Sequence, residues 1–143
     1  MIGFFSTIMV DKHIIIYADD DLDDHVLLKD YFFEMPVKVL PASDGKDALG
    51  IINELQSVNI NPCLVILDMR MPFLNGKETL MKLKNEESMK QIPVLLFSNS
   101  IDPEDEVFVK KYDAEIVIKP HNFEELERTA KLILHKCAIA QKN

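Results

Sequence analysis

The sequence predicts an α/β domain built on a parallel sheet, five strands long and covered by helices on both faces. Three observations carry this expectation. Five short apolar runs alternate with segments of helical period. Turn-forming residues fall at the junctions between them. The apolar runs are nearly continuous, as strands buried on both faces require, instead of alternating with polar residues.

The five runs are "HIIIYA" (13–18), "VKVL" (37–40), "CLVIL" (63–67), "PVLLF" (93–97) and "EIVI" (115–118), mostly rich in branched residues. After the first, Val26, Leu27 and Tyr31 are spaced to share one helical face. Ala48, Ile51, Ile52 and Leu55 follow the second run, and Leu80, Met81 and Leu83 the third. Val107, Phe108 and Tyr112 follow the fourth. Phe123, Leu126, Ala130, Ile133, Leu134 and Cys137 make the longest stripe, after the fifth. Pro36, Asp44-Gly45, Asn61-Pro62, Asn75-Gly76, Pro93, Asp102-Pro103 and Lys119-Pro120 punctuate the junctions. Consecutive parallel strands need right-handed crossovers, and ligands of such sheets gather beyond the carboxyl ends of the strands.

At 143 residues and 48% apolar composition the chain is long enough for one core and short for two. Sixteen basic against 24 acidic residues give a net charge of −8. That balance repels nucleic-acid phosphates and anionic membrane surfaces, and no run of Lys and Arg counters it, so neither partner is expected. Cys63 and Cys137 form neither a metal-ligand spacing nor a disulfide framework, which favours a reduced, cytoplasmic setting. Residues 1–12, opening with "MIGFFSTIMV", read as an N-terminal extension, disordered or loosely docked. They are too short to span a bilayer and lack the basic region and cleavage site of a leader.

The strand-end rule supplies the site. Strand one empties into Asp19, Asp20 and Asp21, strand three into Asp68, strand four into Ser98 and Asn99, and strand five into Lys119. Strand two ends in Pro41, Ala42 and Ser43, with no evident chemistry. Singly, each residue has an ordinary explanation. An acidic run caps a helix, for which Asp23 or Asp24 is a candidate here, Asp68 suits a turn, Ser98 a cap, and Lys119 a surface cation. The run is no calcium loop, because Asp24 stands where that loop needs glycine. Jointly, several carboxylates, a hydroxyl and an amine at strand ends make a phosphoryl-transfer inventory, with oxygen ligands for a hard cation such as Mg²⁺.

The order "ADDD", "LVILDMRMPFLNG", "PVLLFSNS" and "IVIKP" resembles the receiver domain of two-component response regulators, of the single-domain, chemotaxis-receiver-like kind. The likeness runs over residues 13–141, and its D-x-x-M-P-x-x-x-G pattern is specific. It implies a flavodoxin-like doubly wound sheet in the order 2-1-3-4-5. It implies that Asp68 accepts a phosphoryl group from a sensor histidine kinase or a phosphotransfer protein. Mg²⁺ would be held by Asp20, Asp68 and the backbone carbonyl of Arg70, with Asp19 acting mainly through water. Ser98 would sense the phosphoryl group and Lys119 contact it. The Lys119-Pro120 bond would be cis, as is usual in the family. Such a domain signals and is no enzyme in the ordinary sense, although it catalyses its own phosphorylation and dephosphorylation.

The residue types suit that chemistry. A carboxylate attacks an anionic phosphoryl donor poorly unless charge is first neutralised. Two unit charges about 4 Å apart repel by roughly 4 kcal/mol at an effective dielectric near 20, so the acid cluster should be strained without a cation. Departures bear on switching and on phosphate lifetime. Ile116 stands where the family usually has an aromatic switch residue, Asn99 replaces a commoner small residue, and the Arg70 cation is in reach of the phosphoryl group or of Asp102. The end at Asn143 leaves no room for an output domain, so the expected output is contact with a downstream protein target, with the face of the fourth helix, fifth strand and fifth helix serving partner binding or homodimerisation, or relay of the phosphate as a shuttle. Two rival readings are a phosphatase of the haloacid dehalogenase type with Asp19 as nucleophile, weakened by the missing Gly-Thr, and a degenerate receiver that acts only as an interaction module.

Overall fold

The computed structural model describes residues 13–142 and places in them five parallel strands and five helices in strict alternation. The strands are β1 (His13–Ala18), β2 (Val37–Ala42), β3 (Leu64–Asp68), β4 (Val94–Ser98) and β5 (Glu115–Ile118). The helices are α1 (Leu22–Tyr31), α2 (Gly45–Gln56), α3 (Gly76–Asn85), α4 (Pro103–Lys111) and α5 (Phe123–Lys142). Sheet order is β2-β1-β3-β4-β5, every pair parallel, as the resemblance implied. Residues 1–12 lie outside the described part, and the expectation for them with it.

The two-residue period of the strands divides the core. Ile14, Ile16, Val65, Leu67, Val94 and Leu96 face α2, α3 and α4, where Ile52, Leu55, Leu80, Leu83 and Val109 meet them. Ile15, Tyr17, Leu64, Ile66, Leu95 and Phe97 face α1 and α5, against Leu28, Leu126 and Ile133. Residues such as Ile15, Ile66 and Leu80 are fully buried. Each contributes about 1.5–3 kcal/mol of transfer free energy.

Some boundaries and faces differ from expectation. β2 continues through Pro41 to Ala42, in register with Tyr17 and Ala18. It is an edge strand, and a missing N–H is tolerated there. β3 and β4 each begin and end one residue later than expected, so Asp68 and Ser98 are the last strand residues and not the first of a loop. α1 turns His25 and Leu28 inward and leaves Val26 exposed, and α4 buries Val109 and exposes Val107. In both helices the expected apolar stripe is rotated. Short helices beside a polar site are phased by what that site needs as well as by apolar periodicity.

The cysteine expectation is corrected. Cys63, at the entrance to β3, and Cys137, in the last turns of α5, form a disulfide with Cα atoms 4.6 Å apart. Their separation of 74 positions concealed this, because only the packing of α5 over β3 brings them together. The argument for a reduced setting loses its basis. No helix among the described residues is long and apolar enough to cross a membrane.

Candidate functional site

Asp19 follows β1 directly, Asp68 and Ser98 end β3 and β4, and Lys119 follows β5, so the parallel sheet delivers all four to one rim. Asp19, Asp68, Ser98 and Lys119 are buried. The Lys119 Nζ stands 2.7 Å from Asp19 Oδ2, 2.8 Å from Asp24 Oδ2 and 3.3 Å from Asp68 Oδ1. Asp20 is exposed, yet one of its oxygens lies with oxygens of Asp19 and Asp68 in a group spanning no more than 4.8 Å.

Asp19 is the most constrained acid. Its Oδ2 accepts from the Tyr17 hydroxyl at 2.6 Å, and its Oδ1 accepts from the Asp21 N–H at 2.9 Å. Burial alone would raise its pKa, but the hydrogen bonds from Lys119, Tyr17 and Asp21 outweigh that and hold it below the usual carboxylate value. The Tyr17 hydroxyl is driven well above its ordinary pKa by burial and by the Asp19 charge, so it donates and stays neutral. His25 Nε2 lies 2.6 Å from the Asp19 carbonyl, which requires the proton on that nitrogen and leaves the buried Nδ1 without a partner.

Asp68 is the less satisfied of the two buried acids. Burial first, and then the Asp19 charge, push its pKa up to about 6, against the pull of Lys119. Burial works against the charge on Lys119, but its bonds to Asp19 and Asp24 and the nearby Asp68 charge raise its pKa above the usual value. Three carboxylates, Asp19, Asp24 and Asp68, therefore share one ammonium.

Asp68 also borders a crevice of about 350 Å³ lined by Arg70, Lys77, Ser98, Asp102 and Asp105 among others. Gly76 allows this wall to close. A Cβ there would lie 2.6 Å from the Asp68 carbonyl oxygen, so only glycine lets α3 start this close to the end of β3. Phe73, in the loop between β3 and α3, adopts φ 66° and is 84% exposed, a costly backbone for a bulky residue.

The residues singled out in the sequence take the following places in the structure. Asp19, Asp20, Asp68, Ser98 and Lys119 converge, and Arg70 borders the same crevice. Arg70 is exposed and forms no ion pair among the described residues. The acid of α4 that gains a cation is Asp105, 2.7 Å from Lys77, not Asp102. The Ser98 hydroxyl donates to the Ser100 carbonyl, and Asn99 Oδ1 lies 3.0 Å from His121 Nε2, which ties the loops after β4 and β5 together. Ile116 is half-buried against the α2–α4 side of the core. The N-cap of α1 is Asp21, not Asp23 or Asp24. No described peptide bond is cis, so Lys119-Pro120 is trans, contrary to the family habit.

Sequence reasoning missed the roles of Asp24, Tyr17 and His25. Asp24 lies in the first turn of α1, which begins directly after the acidic run and its N-cap Asp21. Tyr17 is the one hydroxyl in β1, HIIIYA.

A hard divalent cation suits this donor set. Asp19, Asp20 and Asp68 offer carboxylate oxygens within 4.8 Å of one another, the kind of oxygen donors that Mg²⁺ takes. Asp19 already accepts from three donors, which leaves it less free acceptor capacity for a cation than Asp68 has.

Residues 15–131 match the response regulator receiver domain family. The probable methanogenesis regulatory protein FilR2 of Methanothrix harundinacea is 33% identical over 94 residues, covering 63% of this chain and 59% of that protein. The CpxR homolog of Haemophilus influenzae, a transcriptional regulatory protein, is 30% identical over 130 residues, covering 90% and 53%. The chain spans about half to three-fifths of the length of the curated relatives it matches. Among solved structures, the phosphorylated cyanobacterial phytochrome response regulator RcpA superposes with a TM-score of 0.74 at 24% identity, covering 85% of this chain and 91% of that one. The chemotaxis protein CheY4 of Vibrio cholerae gives 0.70 at 23%, covering 84% and 97%. These two likenesses concern the fold. Taken with the sheet order and the acids gathered at its rim, the match over most of the sequence assigns the chain to a family: it belongs to the receiver domains of two-component response regulators, which are phosphoacceptor signalling domains.

Proposed function

We propose that Asp68 is the phosphoacceptor, that Mg²⁺ bound by Asp20, Asp68 and the Arg70 carbonyl, with Asp19 through water, is needed for the transfer, and that Lys119 contacts the phosphoryl group. The observation that carries this reading is the approach of Lys119 Nζ to 3.3 Å from Asp68 Oδ1 beside the Asp19, Asp20 and Asp68 oxygens. The donor is a phosphohistidine of a sensor histidine kinase or of a phosphotransfer protein. An Asp68 oxygen forms the new O–P bond as the P–N bond of the donor breaks. Magnesium supplies charge neutralisation at the phosphoryl oxygens when bound.

The remaining work falls to the chain. Lys119 offers N–H donors to the incoming oxygens. Ser98 gives up its bond to the Ser100 carbonyl and turns its hydroxyl to the new anion, shifting the loop that leads into α4. Output then passes to a downstream protein target, or the phosphate is relayed onward. Asp19 is a poor candidate for nucleophile, since it is buried and holds three donors already, which disfavours the dehalogenase-type alternative.

Treatment with phosphoramidate and Mg²⁺ is expected to add one alkali-labile phosphoryl mass to the wild type and none to Asp68→Asn. Labelling of both proteins would remove Asp68 from its role. Millimolar Mg²⁺ is expected to raise the melting temperature by several degrees, since ligand at tenfold its Kd adds about 1.4 kcal/mol. Asp20→Asn should lose most of that rise. An unchanged melting curve for the wild type would refute metal binding at these acids.

A further inference from the structure

Lys119 has three N–H donors, and two of them are spent on carboxylates other than Asp68. The Asp24 contact, at 2.8 Å, is shorter than the 3.3 Å to Asp68. Building on the reading of Asp68 as acceptor and Lys119 as its cation, we propose that Asp24 is a positioning residue. It draws the Lys119 ammonium toward α1 and loosens its contact with the acceptor, so that phosphorylation requires Lys119 to exchange Asp24 for a phosphoryl oxygen.

The two competing acids differ in how readily they can release the ammonium. The Asp19 side chain is fully buried, and without Lys119 its charge would lose its main counterion. Asp24 sits on the first turn of α1 with its side chain 16% exposed, near the positive end of the helix dipole, and can recover water when Lys119 leaves. A phosphoryl group on Asp68 brings about two negative charges and three strong acceptor oxygens, enough to draw the ammonium across. Asp24 is then a brake on the acceptor, acting only through Lys119. It also adds a charge that opposes the approach of an anionic donor. Nothing in the acidic run "DDDLDD" distinguishes it from Asp23, which is exposed and forms no ion pair among the described residues.

That neighbour supplies the control. With phosphoramidate and Mg²⁺, the donor P–N bond breaks, the Asp68 O–P bond forms, and the nitrogen leaves as ammonia after taking a proton. Asp24→Asn is expected to react about three- to tenfold faster than wild type, whereas Asp23→Asn, which removes the same formal charge, should stay within about 1.5-fold. Asp24→Glu, long enough to reach Lys119 still, should restore the slow rate. In a Lys119→Gln background, Asp24→Asn should change the rate by less than about twofold, because the two side chains act as one unit. The second readout needs neither donor nor metal: the Lys119 ammonium NMR signal should move in Asp24→Asn and not in Asp23→Asn. Equal rates for Asp24→Asn and Asp23→Asn, or an acceleration that persists undiminished without Lys119, would overturn the inference. Phosphorylation of Asp68→Asn would instead overturn the acceptor reading on which it rests.

Discussion

Lys119→Met is expected to destabilise the metal-free protein by about 3–5 kcal/mol at pH 8, the usual consequence of removing one partner from a buried ionic cluster. The ammonium is 6% exposed and lies within 3.3 Å of three carboxylates. Met fills most of the volume, so the loss is electrostatic and not a cavity effect. Its pH dependence follows from the directions of the shifts. Asp68 already has a folded pKa of about 6 against an ordinary 3.8, so its protonation stabilises the folded state at low pH, and that contribution is lost as pH rises through the folded value. Lys119 pulls that value down, so its removal extends the penalty to higher pH. Asp19 behaves in the opposite way in the wild type. Its lowered pKa contributes stability above its ordinary value, and the variant forfeits it. The deficit should therefore shrink between pH 8 and pH 5.5, and urea unfolding at both pH values measures it. A deficit below about 1 kcal/mol at pH 8, or one independent of pH, would mean that water already screens the cluster.

The strand-end acids and the amine could be read from the sequence because a parallel sheet converts sequence position into spatial position. Whatever ends or directly follows a strand of such a sheet reaches the same rim, as Asp19, Asp68, Ser98 and Lys119 do. The second layer of the site lacks that advantage. Asp24 and His25 reach the rim from α1, whose phase is set by the ion pair to Lys119 and by the bond to the Asp19 carbonyl. Val26 looked like part of the buried stripe and lies outside it, since inward positions went to polar groups with specific partners. On α4, Val107 lost its expected place to Val109, while Asp105 was drawn to Lys77. Functional geometry thus overrode apolar periodicity in α1 and α4. In α2 and α5, Ala48, Ile52, Leu55, Leu126, Ala130 and Ile133 are buried as spaced, although Phe123, the first of the expected α5 stripe, is exposed.

The disulfide shows a different limit of sequence reading, and it carries the other large expected effect. Cys137→Ala should lower the unfolding free energy by about 4 kcal/mol, because a bridge closing a span of 74 residues restricts the unfolded chain. Both sulfur positions are buried between α5 and the start of β3, so the bridge also pins the far end of α5 to the sheet. The denaturant slope should separate the two contributions. An unbridged unfolded chain exposes more surface, so the urea m-value should rise as the midpoint falls, whereas lost packing alone would lower the midpoint at constant slope. Unfolding the wild type in excess dithiothreitol should bring its curve onto that of Cys137→Ala and leave the variant unchanged. If reductant shifts neither protein, or if the variant matches oxidised wild type, Cys63 and Cys137 are thiols in contact and not a bond. The compartment argument from unpaired cysteines would then stand again.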